Sequence, residues 1–194
     1  MSGTSVSLLE RLRERPDGEA WQRLVAIYTP LLKQWLGRYG LQASDVDDLT
    51  QEVLAVLVRD LPRFQHNQRT GAFRRWLRGI AVNRLRELWR NRGDAAHGGG
   101  DSDMARRIDQ LEDPHSQVSK LWDLEHDRHV MGRLLVLIEA EFPTTWWRAF
   151  RRHVREGAPA AEVAAELNVS VNVVLLAKSR ILRRMRQEAQ GLID

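Results

Sequence analysis

The chain contains no cysteine, which excludes a disulfide scaffold, a thiol nucleophile and a zinc finger built on thiolates. Lysine is scarce: of the 30 basic residues 27 are arginine, and only Lys33, Lys120 and Lys178 carry ammonium groups. No apolar run approaches the roughly 20 residues that a bilayer crossing needs, and the opening MSGTSVSLLERLRERP lacks the long apolar core of a signal peptide. A soluble, cytoplasmic protein without membrane insertion is expected. The alternating polar and apolar pattern of strands is missing as well. The glycine run at 98–100 has neither a strand before it nor a lysine after it, so no phosphate-cradling loop and no nucleotide cofactor are implied.

What is present is 194 residues, 43% of them hydrophobic, enough for one large domain or two small ones. The formal net charge of +4 rests almost wholly on guanidinium groups, which suit phosphates and base edges. Its distribution is uneven. Residues 59 to 92 hold ten Arg against Asp60 and Glu87, whereas residues 93 to 127 hold nine acids against Arg106, Arg107 and Lys120. Two further basic blocks lie at 148–155 and 178–188. The Gly/Asp-rich stretch GDAAHGGGDSD at 93–103 reads as a flexible linker, and residues 104 to 127, with scattered apolar positions, can hold short helices.

Apolar residues elsewhere recur at three- and four-residue spacing, so an all-α protein is expected. Val46, Leu49, Val53, Val56 and Leu57 form one face of a helix with Ser44 as its expected N-cap, and Asp48, Gln51 and Glu52 lie on the other side. Between about 73 and 91, Phe73, Trp76, Leu77, Ile80, Ala81, Leu85 and Leu88 share an arc, and Arg75, Arg78, Arg86 and Arg90 share the opposite one with Asn83 at its edge. Helices are expected near 128–141, 144–156, 159–167 and 171–189. The last two form a helix-turn-helix with Pro159 in a first turn, Asn168 left-handed and Ser170 as cap. Val163, Ala164, Leu167, Val174, Ala177, Ile181 and Met185 are its expected core.

The carboxylates Asp45, Asp47, Asp48 and Glu52 are candidates for a metal or acid/base site, yet no histidine shares their helix. An acidic solvated face or a docking surface for a basic partner competes with that reading. His126 and His129, three apart, are spaced to share a metal, but the bland alternative of surface or core-edge histidines is preferred and no metal is assigned. In the block at 59–92, Phe64, Phe73, Trp76 and Trp89 are interleaved with arginine, the combination of stacking and phosphate neutralisation that holds single-stranded nucleic acid. Packing of the same aromatics in the core competes at each position.

The order of these features resembles the sigma-70 family of bacterial RNA polymerase sigma factors, in the short extracytoplasmic-function (ECF) group. The residues that carry the resemblance are EAWQRLVAIYTPLLKQWLGRYG at 19–40, DVDDLTQEVLAVLVRDLPRF at 45–64, GAFRRWLRGIAVNRLRELWRNR at 71–92 and EGAPAAEVAAELNVSVNVV at 156–174. The resemblance implies a non-enzymatic protein that binds core RNA polymerase and promoter DNA, both duplex and unpaired strand, and that is commonly restrained by an anti-sigma protein. It implies a region 2-like domain at 1–92, an acidic linker at 93–127 and a region 4-like helix-turn-helix domain at 128–194. By the same resemblance Asp45, Asp48, Gln51 and Glu52 meet the polymerase. Phe64, Asn67, Arg69, Arg75, Trp76, Arg78, Asn83, Arg86 and Arg90 meet the minus-ten element. Ser170, Asn172, Lys178, Ser179, Arg180 and Arg183 meet the minus-thirty-five element.

One stretch departs from the family pattern: where polar and basic residues usually follow the cap of the recognition helix, this chain has Val173, Val174, Leu175 and Leu176. Leucine cannot read base edges by hydrogen bonds but can touch a thymine methyl, or it can mark a protein interface. Two readings from other classes compete with the resemblance. A helix-turn-helix regulator acting without polymerase needs only the C-terminal half, and a metal-dependent phosphodiesterase would use Asp47, Asp48 and Glu52.

Overall fold

The computed structural model describes residues 7–14, 18–64, 70–93 and 101–193, and among these no strand occurs. The helices run in the order α1 (Leu8–Glu14), α2 (Gly18–Leu36), α3 (Ala43–Asp60), α4 (Ala72–Gly93), α5 (Asp101–Glu112), α6 (Gln117–Ile138), α7 (Thr144–Phe150), α8 (Ala160–Leu167) and α9 (Val171–Ala189). No single helix among the described residues is long and apolar enough to cross a membrane. The chain divides into two compact units, one of Ser7–Val130 with the residues from 190 on, the other of Met131–Ala189. Helix α6 contributes to both.

In the first unit each core helix buries the face that its spacing dictates. Helix α2 buries Leu24, Ile27, Tyr28, Leu31, Leu32 and Trp35, and α3 buries Val46, Leu49, Val53 and Leu57. Helix α3 starts at Ala43 with Gln42 as its cap and no side-chain cap bond, so Ser44 lies inside the first turn rather than capping it.

The acidic segment departs most from expectation. Residues 93 to 103 are expected as a flexible linker and 104 to 127 as able to hold short helices; from Asp101 the segment forms α5 and the first half of α6. Ile108, Leu111 and Trp122 are buried, and Trp122 packs edge-on against Trp35 with ring centroids 4.9 Å apart. Helix α6 therefore begins at Gln117, not near 128. Two features account for this: the sparse apolar residues fall at helical spacing, and Asp109, Glu112, Asp123 and Asp127, among the acids that made the segment look solvated, find arginine partners on α4.

In the second unit, α7 runs directly into a π-helical turn at Arg151–Arg155, which together span the expected helix at 144–156. Ile138, Trp147, Phe150, Ile181 and Met185 form one buried cluster; Ala149, Val163, Ala164, Val174 and Ala177 form a second, with Leu167 packed partly buried against it. Helices α8 and α9 meet at 108° across a short turn. In that turn Asn168 has φ 50°, the left-handed conformation that asparagine tolerates better than most residues. Ser170 Oγ accepts the Val173 amide at 3.3 Å, capping α9, and Pro159 stands at the N-cap of α8, one position before its first turn.

Candidate functional site

Burial of Val46, Leu49 and Val53 turns the opposite side of α3 outward, so Asp48, Gln51 and Glu52 are all exposed. Asp48 and Glu52 form no ion pair among the described residues. Asp47 is paired with Lys33 at 2.8 Å. Asp45 is half-buried and holds Arg92 at 2.5 Å, tying the start of α3 to the end of α4. Of the four residues expected at a polymerase surface, three form an open face and Asp45 is engaged inside its own unit.

Helix α4 carries the basic block. One side buries Phe73, Leu77 and Ile80, another buries Ala81, Val82 and Leu85, and a third faces outward with Arg75, Asn83 and Arg90 exposed. Arg78 does not belong to that outward stripe. It is 3% exposed and donates to the Ser119 carbonyl at 3.2 Å and to Asp123 at 3.0 Å; burial holds its guanidinium below the usual arginine range, against the pull of Asp123. Arg74 joins the same group through Asp127 at 2.7 Å, Asp123 at 3.5 Å and the Ile193 carbonyl at 3.2 Å. Arg86, half-buried, is shared between Glu112 at 2.5 Å and Asp109 at 2.7 Å; those hydrogen bonds raise the arginine above its ordinary value and lower Glu112. Two of the four arginines expected on the stripe are therefore engaged by the acidic helices.

Phe64 and Trp76 stack at 4.7 Å with an interplanar angle of 25°, and Phe73 closes the cluster edge-on to both. Phe73 is wholly buried, whereas Phe64 and Trp76 are half-buried. Beside Trp76 lies a cavity of about 380 Å³ lined by Val56, Arg59, Asp60, Trp76, Gly79, Ile80, Asn83 and Arg84. No atom would meet a Cβ on Gly79 within 4 Å, so the groove is open above that position. Arg59 and Arg84 were not singled out from the sequence. The signal that would have found them is their place beside Asn83, across the two helices, which only the packing shows. Asn67 and Arg69 lie outside the described residues.

The histidines considered for metal binding take protein partners instead. His126 is fully buried, with Nδ1 2.9 Å from Asp127 and Nε2 3.1 Å from the Tyr28 hydroxyl, and His129 Nε2 lies 2.6 Å from the Ile27 carbonyl. Burial lowers the His126 pKa, opposed by Asp127, and raises that of Tyr28 well above its usual value.

In the second unit the outward face of α9 presents Asn172, Leu175, Leu176, Ser179, Arg180 and Arg183. Arg180 stacks over the Trp146 ring at 5.4 Å. Lys178 is half-buried and turned off that face, while Ser170 is exposed and spends its hydroxyl on the cap. Arg152 holds Glu156 before α8 and Glu162 and Glu166 along it.

An all-helical chain with an acidic face on one helix and an exposed arginine and amide stripe on the next is the class that these features define. Residues 24–94 match the sigma-70 region 2 family. The RNA polymerase sigma factor NccH of Alcaligenes xylosoxydans xylosoxydans is 30% identical over 129 residues, which cover 65% of this chain and 67% of that protein. The chain belongs to the sigma-70 family of sigma factors.

Proposed function

We propose that the chain is a sigma factor of the ECF group that docks on core RNA polymerase through Asp48, Gln51 and Glu52 and opens promoters with the outward face of α4. The observation that carries the proposal is the neighbouring pair of surfaces inside the matched region: a free acidic and amide face on α3, and on α4 an exposed Arg75, Asn83 and Arg90 beside a groove bordered by Trp76. The acidic face suits a basic partner surface. The second has what an unpaired strand needs, cationic groups for phosphates and an aromatic wall with an amide for a base. A flipped base costs a few kcal/mol, and stacking with hydrogen bonding offsets it.

Arg78 is left out of the minus-ten set because its donors are used internally, and Arg86 meets phosphate only with its free edge. Asn67 and Arg69 remain assigned to that element through the family resemblance. The promoter-opening unit extends through Val130, since α5 and the start of α6 complete its core. The unit from Met131 is the minus-thirty-five reader, with α9 in the major groove and Asn172, Ser179, Arg180 and Arg183 toward the bases and phosphates. Lys178 and Ser170 support that helix rather than read from it. An anti-sigma protein is the expected restraint. RNA synthesis itself is left to the core enzyme.

Co-elution of the purified chain with bacterial core RNA polymerase, beside an Asp48→Lys, Glu52→Lys double variant, tests the proposal. Stoichiometric association of the wild type and its loss in the variant is the expected result; absence of association in both overturns it.

A further inference from the structure

The surface of α9 carries an anomaly that its packing does not explain. Val174, Ala177 and Ile181 satisfy the core, yet Leu175 and Leu176 point outward, 46% and 38% exposed. Val171, 42% exposed, stands one turn before Leu175, so the three make a short apolar strip in the first turns of α9. One turn before them stands Asn172, one turn after them Ser179 and Arg180, then Arg183. Arg180 and Arg183 form no ion pair among the described residues, and Arg180 is steadied by the Trp146 ring. By contrast, Arg152 and Arg184 in the same unit are each bound by glutamates.

We propose that Leu175 and Leu176 read the C5-methyl groups of thymines in the major groove of the minus-thirty-five element. The inference rests on the reading of α9 as the recognition helix. The strip of Val171, Leu175 and Leu176 is short, has an amide beside it and ends in a hydroxyl and in guanidinium groups without an ion pair among the described residues, whose charge complements phosphate. The major groove offers one apolar group among its base edges, the thymine methyl, and Asn172 beside it can take the N6 and N7 edge of an adenine. An A·T-containing step opposite residues 172–176 is the expected preference.

The test uses holoenzyme assembled from the full chain and core polymerase. A promoter duplex randomised over the minus-thirty-five region is selected for binding, and the enriched thymines are then replaced singly by deoxyuridine, which removes only the methyl. Wild type is expected to lose about fourfold in affinity per methyl, the fold-change for one buried CH₂. A Leu175→Ala, Leu176→Ala variant is expected to bind the thymine duplex as weakly as wild type binds the deoxyuridine one, and to ignore the replacement. If holoenzyme forms and binds promoters but deoxyuridine changes nothing, the methyl reading is overturned and the leucines belong to a protein interface. If the chain forms no holoenzyme, or selects no duplex sequence in that region, the underlying reading falls and the inference with it.

Discussion

Arg78 Nη1 sits 3.0 Å from Asp123 Oδ1 with its side chain almost wholly removed from solvent. A guanidinium on the basic helix is thus a bolt between α4 and α6, and its loss removes a donor from the Ser119 carbonyl and leaves Asp123 with Arg74 alone. Arg78→Ala is expected to destabilise the first unit by about 3 kcal/mol. A lowered thermal midpoint with unchanged promoter affinity of the folded fraction checks this; reduced affinity without a change in stability would return Arg78 to the stripe proposed to bind DNA.

Exposed residues of α4 should behave the other way. Replacing Arg75 or Arg90 by Ala is expected to leave thermal stability within about 0.5 kcal/mol. Each is expected to reduce the salt dependence of promoter binding by about one phosphate contact, measured as the slope of log affinity against log salt.

The open position above the groove gives a separate test. Gly79→Leu meets no atom within 4 Å of its Cβ and gains helix propensity of up to about 1 kcal/mol, so the folded state should be at least as stable as wild type. Because the new side chain fills the cavity beside Trp76 and Asn83, open-complex formation, followed by permanganate reactivity of unpaired thymines, is expected to fall.

His126 makes the first unit sensitive to acid. Its folded-state pKa lies below the ordinary value of 6.5, so the unfolded chain takes up a proton first as pH falls. The stability present above about 6.5 is therefore lost progressively as pH drops from there through the folded-state pKa. Urea midpoints at pH 7.5 and pH 5.5 should show this loss in the wild type and a smaller one in His126→Gln. Equal pH dependence in the two proteins would remove His126 from the account.

The turn before α9 is a backbone matter. Asn168 at φ 50° is replaceable by Gly with little change, whereas Asn168→Val is expected to cost about 1–2 kcal/mol in the second unit, measured by thermal unfolding. Similar midpoints for the two variants would mean that the turn relaxes to another conformation.

Much of this architecture is legible in local pattern. The buried faces of α3 and α9, the left-handed Asn168 and the Ser170 cap follow from residue type and spacing, because each depends on neighbours within one or two turns. The exposed acidic face of α3 is legible for the same reason: once Val46, Leu49 and Val53 are inward, Asp48, Gln51 and Glu52 have nowhere else to point. The length of the helices in 101–127 was not legible, because it depends on arginine partners far along the chain.

The sequence alone thus determined an all-helical chain, its acidic and basic helices and the tight turn between its last two helices, since helical period and capping are local. Tertiary structure decided which arginines of α4 remain available. At 100° per residue Arg78 stands only about 60° from Arg75, a difference that periodicity cannot convert into buried or exposed. The packing of α6 makes that decision, because Asp123 and Ser119, more than forty residues away, reach one arginine and not the other.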